Sequence, residues 1–230
     1  MGISNTSIDQ SLIGWWCPSL DPSPGGNVLS DLSGSGNDAN LLLSPVWEED
    51  TSNGGVRSIF YNNGPYAEMP TEGMIPESFT MSTWVRTRLF NLPRTAIIGS
   101  DGSVGTRGWQ LRYSFGKLEY FSTPDGGTRN FHRYQVLENR SISDDQWHHV
   151  GIVFNNGVVS IWQDGVSMEL VDSGVGDPIG QVNFRPVSRI AESVGGLIAP
   201  SIIRVDDTRL YSRALATEEM EHLSLHRGIQ

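Results

Sequence analysis

The segment Phe79-Thr80-Met81-Ser82-Thr83-Trp84-Val85-Arg86 alternates apolar and polar side chains with a period of two. A strand buries every second residue, and a helix cannot keep such a pattern on one face. The habit recurs in short runs between turn residues. Trp109-Gln110-Leu111-Arg112-Tyr113 and Lys117-Leu118-Glu119-Tyr120-Phe121 alternate on either side of Ser114-Phe115-Gly116. Two pairs of runs flank Asn-Gly turns and read as hairpins: Val56 to Tyr61 with Tyr66 to Met69, and Trp147 to Phe154 with Val158 to Gln163. Leu12 to Trp16 starts the first strand, and Ser201 to Tyr211 forms the last long one. Pro18 to Asn27, Asp31 to Asp38 and Glu48 to Gly55 read as loops. Ala216 to Leu223 alone reads as a helix, with Thr217 as its N-cap and acids in its first turn. No repeat of roughly 20 to 50 residues is present, which excludes a solenoid or propeller.

The chain has 230 residues, enough for a sizeable core, and the polar residues 1–10 read as a flexible arm before a single domain over 11–230. One cysteine, Cys17, rules out an intrachain disulfide and a cysteine zinc site, and it reads as a buried inert thiol. The net charge of −10 argues against nucleic acid as a partner. No apolar run approaches the roughly 18 residues of a membrane-spanning helix. The first residues lack the charged and apolar regions of a signal peptide, which leaves a chain already matured or one released without a signal as the expectations.

Four segments together resemble one family. Asp31-Leu32-Ser33-Gly34-Ser35-Gly36-Asn37-Asp38 looks like its D-x-S-G-x-G-N loop, and Ser78-Phe79-Thr80-Met81-Ser82-Thr83-Trp84-Val85 like its S-F-T-x-S-x-W-V strand. Trp147-His148-His149-Val150, followed by Val159 to Gly165, is similar to W-H-H-V and V-x-L-Y-V-D-G. Val205-Asp206-Asp207-Thr208-Arg209-Leu210-Tyr211 is similar to I-D-D-V-R-I-Y. These motifs, in this order, are those of laminin-G-like, concanavalin A-like domains. The resemblance spans Leu12 to about Leu223 and implies an all-β fold: a two-sheet antiparallel jelly-roll sandwich with one short C-terminal helix capping one end. Trp84, Trp147 and Trp162 are then structural, as inward aromatic anchors, and so is His149. The resemblance further implies a structural Ca²⁺ at a sheet edge, held by Asp206 with Asp31 or Asp38.

His148 and His149 are adjacent on a strand, so alternation sends them to opposite faces and they cannot share one metal. His222 and His226 have i, i+4 spacing without an H-E-x-x-H motif. No G-x-S-x-G or Walker motif occurs. A glycosidase needs a close pair of carboxylates, and Glu48-Glu49-Asp50, read as a loop, does not provide one. The chain is therefore expected not to be an enzyme. A glycan site needs exposed aromatic and planar polar side chains on loops. The candidates are Trp47, Tyr66, Trp109, Arg129, His132 and Arg133, with a core role as the alternative for Trp109.

Fold alone does not select a function. The leading expectation is a non-enzymatic recognition or structural module, as a virion decoration or host-adhesion protein with a carbohydrate-binding fold. The opening Gly14-Trp15-Trp16-Cys17-Pro18-Ser19-Leu20 resembles openings of phage proteins with this domain. A free lectin is the alternative, with a glycan-active enzyme behind it. The expected partners are cell-surface glycans and capsid or other virion proteins, onto which the arm would dock, and the oligomeric state stays open. The expected location is extracellular or the virion surface.

Overall fold

A computed structural model describes residues 11–50, 56–72, 77–88, 95–100, 108–124, 131–138, 140–174, 182, 186–192 and 202–228. The arm over 1–10 and Arg129 lie outside them.

Two antiparallel sheets face each other. Sheet A contains β1 (Leu12–Trp16), β4 (Val46–Asp50), β5 (Val56–Asn62), β7 (Ser78–Thr87), β12 (Trp147–Asn155), β13 (Val158–Gln163), β14 (Val166–Ser167) and β17 (Ile202–Tyr211). Its order is β14-β13-β12-β7-β17-β5-β4, with β1 also paired to β17. Sheet B contains β2 (Val28–Leu29), β3 (Ala39–Leu42), β6 (Tyr66–Pro70), β8 (Thr95–Gly99), β9 (Trp109–Ser114), β10 (Lys117–Ser122), β11 (His132–Val136), β15 (Leu170–Asp172) and β16 (Val187–Ile190). Its order is β15-β11-β10-β9-β8-β16-β6-β3-β2. The inner faces share one core, in which Phe79, Met81, Val85, Val150, Ile152 and Phe154 meet Trp109, Leu111, Tyr113, Leu118 and Tyr120. The alternation in the sequence selects these residues.

Three tight turns follow from residue type. Phe115-Gly116, Asn156-Gly157 and Asp164-Gly165 all take positive φ, the conformation a two-residue hairpin requires. The Asn63-Gly64 turn does not make the expected hairpin. It carries the chain from β5 in sheet A to β6 in sheet B. The local turn signal was right and the pairing was not, because turn chemistry does not specify which sheet receives the next strand.

The D-x-S-G-x-G-N loop is a clamp on β1. The Asp31 carboxylate accepts hydrogen bonds from the backbone N–H of Trp15, Ser33 and Asn37 and from the Ser33 hydroxyl, each at 2.9 Å. Asn37 returns a bond from Nδ2 to the Ile13 carbonyl at 2.8 Å, and its own carbonyl accepts Trp16 Nε1 at 2.8 Å. Within β1, a Cβ at Gly14 would lie 2.3 Å from the nearest atom of the Trp16 ring, so a side chain there must displace that indole.

β1 and β5 lie end to end along one edge of β17. β5 pairs with Ile202 to Val205, and β1 pairs with Thr208 to Tyr211. The junction is a bulge between Asp206 and Arg209, with Asp207 at φ 48°.

The helix α1 (Thr217–Leu223) has Ala216 at its N-cap rather than Thr217. Glu219 supplies the cap from within, accepting the Ala216 N–H at 2.9 Å while it pairs with Arg213. α1 covers part of the outer face of sheet A instead of closing an end. Met220 and Leu223 pack there on Val153, Trp162 and Tyr211.

Candidate functional site

The expected inward tryptophans are not in the core between the sheets. Trp84, Trp147 and Trp162 have the parity of the outer face of sheet A, opposite to Val85, Val150 and Ile161. Alternation separates His148 from His149 as expected. His149 is fully buried on the outer face, tilted against Trp84 at 5.5 Å between ring centroids. Burial lowers its pKa to about 4, so it is neutral at physiological pH. His148 lies between two acids, with Nδ1 2.8 Å from Asp164 and Nε2 3.1 Å from Asp144. The Asp164 hydrogen bond raises its pKa against the opposing effect of burial.

The three acids of the expected calcium set are held by protein groups. Asp206 is fully buried and does not face water. Its Oδ2 accepts Ser19 Oγ at 2.8 Å and Arg227 Nε at 3.0 Å, and its Oδ1 accepts the Asp207 N–H at 2.9 Å. Asp31 is occupied by its loop, and Asp38 accepts the Asp31 N–H at 2.8 Å. Among the described residues no group of three or more His, Cys, Asp or Glu is placed to hold a metal ion. Cys17 is buried beside Asp206, and burial pushes its thiol pKa far up, as expected for an inert thiol.

The expected glycan-binding residues are scattered. Trp109 is fully buried against Phe79 and belongs to the core, so its role as a ligand contact is overturned. Trp47 lies on β4, packs on the core edge and donates Nε1 to the Gly26 carbonyl at 3.1 Å. His132 is on β11, a strand rather than a loop, buried with Nδ1 2.6 Å from Asp172. Tyr66 and Arg133 share the outer face of sheet B. There one register row runs Asn40, Glu68, Arg189, Gly99, Gln110, Phe121, Arg133. Most of its middle is closed to solvent: Gln110, Phe121 and the adjoining Arg112–Glu119 ion pair are all buried.

An open cleft of about 370 Å³ lies elsewhere, on the outer face of sheet A. Its walls are Glu48, Glu49, Asp50, Ser58, Arg86, Arg88, Asp145, Trp147 and Arg204. Here the loop expected over Glu48-Glu49-Asp50 is a strand through Asp50. Alternation on β4 therefore puts Glu48 and Asp50 on one face. Three of the lining residues, Arg204 on β17, Arg86 on β7 and Trp147 on β12, form one register row, which Phe60 on β5 continues beyond the lining. Arg204 lies over the Phe60 ring at 4.3 Å and forks onto Glu48, Nε to Oε2 at 2.6 Å and Nη2 to Oε1 at 3.4 Å. Arg86 forks onto Asp145 at 3.1 and 3.2 Å, which raises the Arg86 pKa and lowers that of Asp145. Arg88 reaches the same carboxylate at 2.6 Å. Trp147 Nε1 donates to Asp50 at 2.8 Å, and Arg227 from the C-terminal segment stacks on the Trp147 ring at 3.7 Å.

From sequence, Trp147 was singled out only as a structural anchor, and Glu48, Glu49 and Asp50 were considered and set aside as a loop; Arg86, Arg88, Asp145 and Arg204 were not singled out. Alternation places Arg86 on the face of Trp84, a signal that was available. The meeting of Arg86 with Arg204 depends on β17 lying beside β7, which no local pattern reveals.

The family model described as Concanavalin A-like lectin/glucanases superfamily matches residues 61–221, and the chain belongs to that superfamily. No curated protein sequence matches the chain. Among solved structures, the binding domain of Paraclostridial Mosquitocidal Protein 1 is similar at TM-score 0.69 and 16% identity, covering 94% of this chain and 52% of that one. A structure of botulinum neurotoxin type C, whose cell entry is dependent upon interaction with two ganglioside molecules, gives TM-score 0.71 and 16% identity over 96% of this chain and 52% of that one. The binding domain of botulinum neurotoxin DC in complex with SialylT gives 0.68 and 16%, over 95% and 51%. The chain thus spans about half the length of these neighbours, and at such identity the likeness concerns the fold.

Proposed function

We propose that this chain is a non-enzymatic recognition module that binds saccharides in the cleft of sheet A. The observation that carries the reading is the cleft wall itself. It presents planar guanidinium and carboxylate groups in fixed forks beside an indole, the bidentate partners that sugar hydroxyls accept from and donate to. Two of the toxin neighbours, a binding domain and a neurotoxin whose cell entry depends on interaction with two ganglioside molecules, support the same class. Glu48 and Asp50 share a strand face, as a glycosidase pair would, but each is already engaged. Glu48 is forked by Arg204 and Asp50 accepts the Trp147 indole N–H, so neither is presented as a free proton donor.

Within this reading we propose an extracellular or virion-surface location, following the phage-like opening around Trp15 and Trp16. Its detection in purified particles by mass spectrometry tests that location, and its absence from them removes it.

A glycan array, run in calcium and in chelator, tests the function. Binding is expected in both buffers, because Asp206, Asp31 and Asp38 are held by protein donors. It is expected to be lost in Arg204→Ala and in Trp147→Ala. Array binding that survives both substitutions moves the site elsewhere, and no binding by the wild type overturns the reading.

A further inference from the structure

We propose that His222 and His226 form a two-imidazole site for a transition-metal ion, Cu²⁺ or Ni²⁺, which fastens the C-terminal segment to α1. Neither histidine lines the cleft of sheet A, so this inference goes beyond the saccharide reading and does not depend on it.

The ring geometry carries the inference. His222 is in the last turn of α1, and His226 follows one turn later, after the helix has ended at Leu223. Their ring centroids are 4.3 Å apart, and both residues are half-buried. His226 Nδ1 lies 2.9 Å from the His222 carbonyl oxygen. That oxygen can only accept, so Nδ1 carries the proton and the Nε2 lone pair is left for a ligand. A carbonyl on the other ring nitrogen is a common companion of a metal-bound histidine, because it fixes the tautomer and the ring orientation. The same carbonyl accepts the Leu225 N–H at 3.1 Å, which ties this arrangement to the turn of the tail. Burial, then His226 and Arg209, lower the His222 pKa, which favours the neutral, ligating form of that ring too.

The spacing selects the ion. With the metal about 2.1 Å from a nitrogen of each ring, the centroids lie roughly 4.5 Å apart at a right angle and roughly 5.2 Å apart at a tetrahedral angle. The observed spacing fits the right angle. The terminal ring torsions are broad, so both nitrogens can be aimed without moving the backbone. Imidazoles at right angles suit Cu²⁺ and Ni²⁺ better than tetrahedral Zn²⁺. Among the described residues no third His, Cys, Asp or Glu joins the pair, so water completes the shell. The surrounding charge favours a cation. Glu218 and Glu221 on α1 are exposed, and the chain carries a net charge of −10. Arg209, which bears on His222, is already forked onto Asp207 at 2.7 and 3.0 Å. Directly after His226, Arg227 donates to Asp206 and the Gly228 N–H donates to Asp207, each at 3.0 Å. An ion between the two rings therefore braces the segment that closes over the buried acids of β17.

The test is calorimetry and thermal melting of the untagged protein with Cu²⁺, Ni²⁺ and Mg²⁺. One Cu²⁺ or Ni²⁺ per chain is expected, with Cu²⁺ the tighter. At a Ni²⁺ concentration about a hundredfold above its Kd, Tm should rise by roughly 5–10 °C. Either His222→Gln or His226→Gln should weaken binding about a hundredfold, because the second ring acts as an intramolecular donor. Metal-free melts check that both variants fold, and His222→Gln keeps the test valid where His226→Gln disturbs the tail. Hydrogen exchange of the Gly228 N–H should slow when Ni²⁺ is added to the wild type. No binding of Cu²⁺ or Ni²⁺ overturns the inference, and so does binding that neither substitution alters or a Tm rise that Mg²⁺ reproduces. Binding at the pair with unchanged exchange at Gly228 overturns the fastening role.

Discussion

Replacing Arg227 by methionine keeps a stem of similar length and removes the charge that faces a fully buried carboxylate. Asp206 is 0% exposed and Arg227 donates to it at 3.0 Å, with its own side chain only 10% exposed. Removing one partner of a buried pair leaves an uncompensated charge and costs about 3–5 kcal/mol. Losing the stack on Trp147 adds about 0.5–2 kcal/mol. Ser19 and the Asp207 N–H still hold Asp206, so we expect a total near the lower end, about 3 kcal/mol at pH 7.5. For a chain of this size that lowers Tm by roughly 6–12 °C. The pH dependence distinguishes the two contributions. Burial, helped by Asp207, raises the Asp206 pKa in the folded protein, with Ser19 and Arg227 opposing it. A carboxyl with a raised folded pKa binds its proton more tightly when folded, so its ionisation weakens stability as pH climbs from the unfolded value of about 3.9 through the folded one. Without Arg227 that rise is larger. The cost of Arg227→Met should therefore be smaller at pH 4.5 than at pH 7.5, because protonation of Asp206 relieves the unpaired charge as pH falls, while His149, with a pKa of about 4, is still mostly neutral. Urea titrations of both proteins at the two pH values measure this. An equal cost at both refutes the reasoning and assigns the loss to the Trp147 stack.

Three further outcomes follow from other parts of the fold. Asp31→Ala removes the acceptor of four hydrogen bonds and leaves the Trp15 N–H without it, so stability should fall by about 2–4 kcal/mol in urea titration. Gly14→Ala should cost about 1–3 kcal/mol, because the new methyl group forces the Trp16 ring out of place, and near-ultraviolet circular dichroism should report that movement. His148 has a raised folded pKa, so its contribution is full below its unfolded value of about 6.5 and is lost as pH rises through the folded value. A Tm profile from pH 5.5 to 8.5 should decline through that window in the wild type and flatten in His148→Gln, and parallel profiles would contradict the role of Asp164 and Asp144.

The strands, the tight turns and the split of His148 from His149 were legible because each follows from residue type and a period of two. The family motifs were legible too, and the structure supplies their reasons: Asp31 and Asn37 bind the backbone of β1, and Asp206 and Asp207 sit at a bulge where β17 changes partners. What stayed hidden depended on which strands lie side by side. Trp84, Trp147 and Trp162 have the right alternation, but sequence alone does not say which face of a strand meets the other sheet and which is covered by α1 and the C-terminal segment. Glu48 and Asp50 looked like loop residues because their run is acidic, yet an edge strand tolerates such charge on an exposed face. The cleft joins β4, β7, β12 and β17, which are far apart in the chain. The candidates chosen for aromatic or cationic character alone fell on other surfaces, or, like Trp109, into the core.

The most direct test of a saccharide site in sheet A is a crystal structure of the protein with the strongest glycan from the array. The account predicts sugar density in the cleft, within hydrogen-bonding distance of Arg86 or Arg204 and beside Trp147. Sugar density on the outer face of sheet B, or at the loops around Asp31, with the cleft left to water, would contradict it.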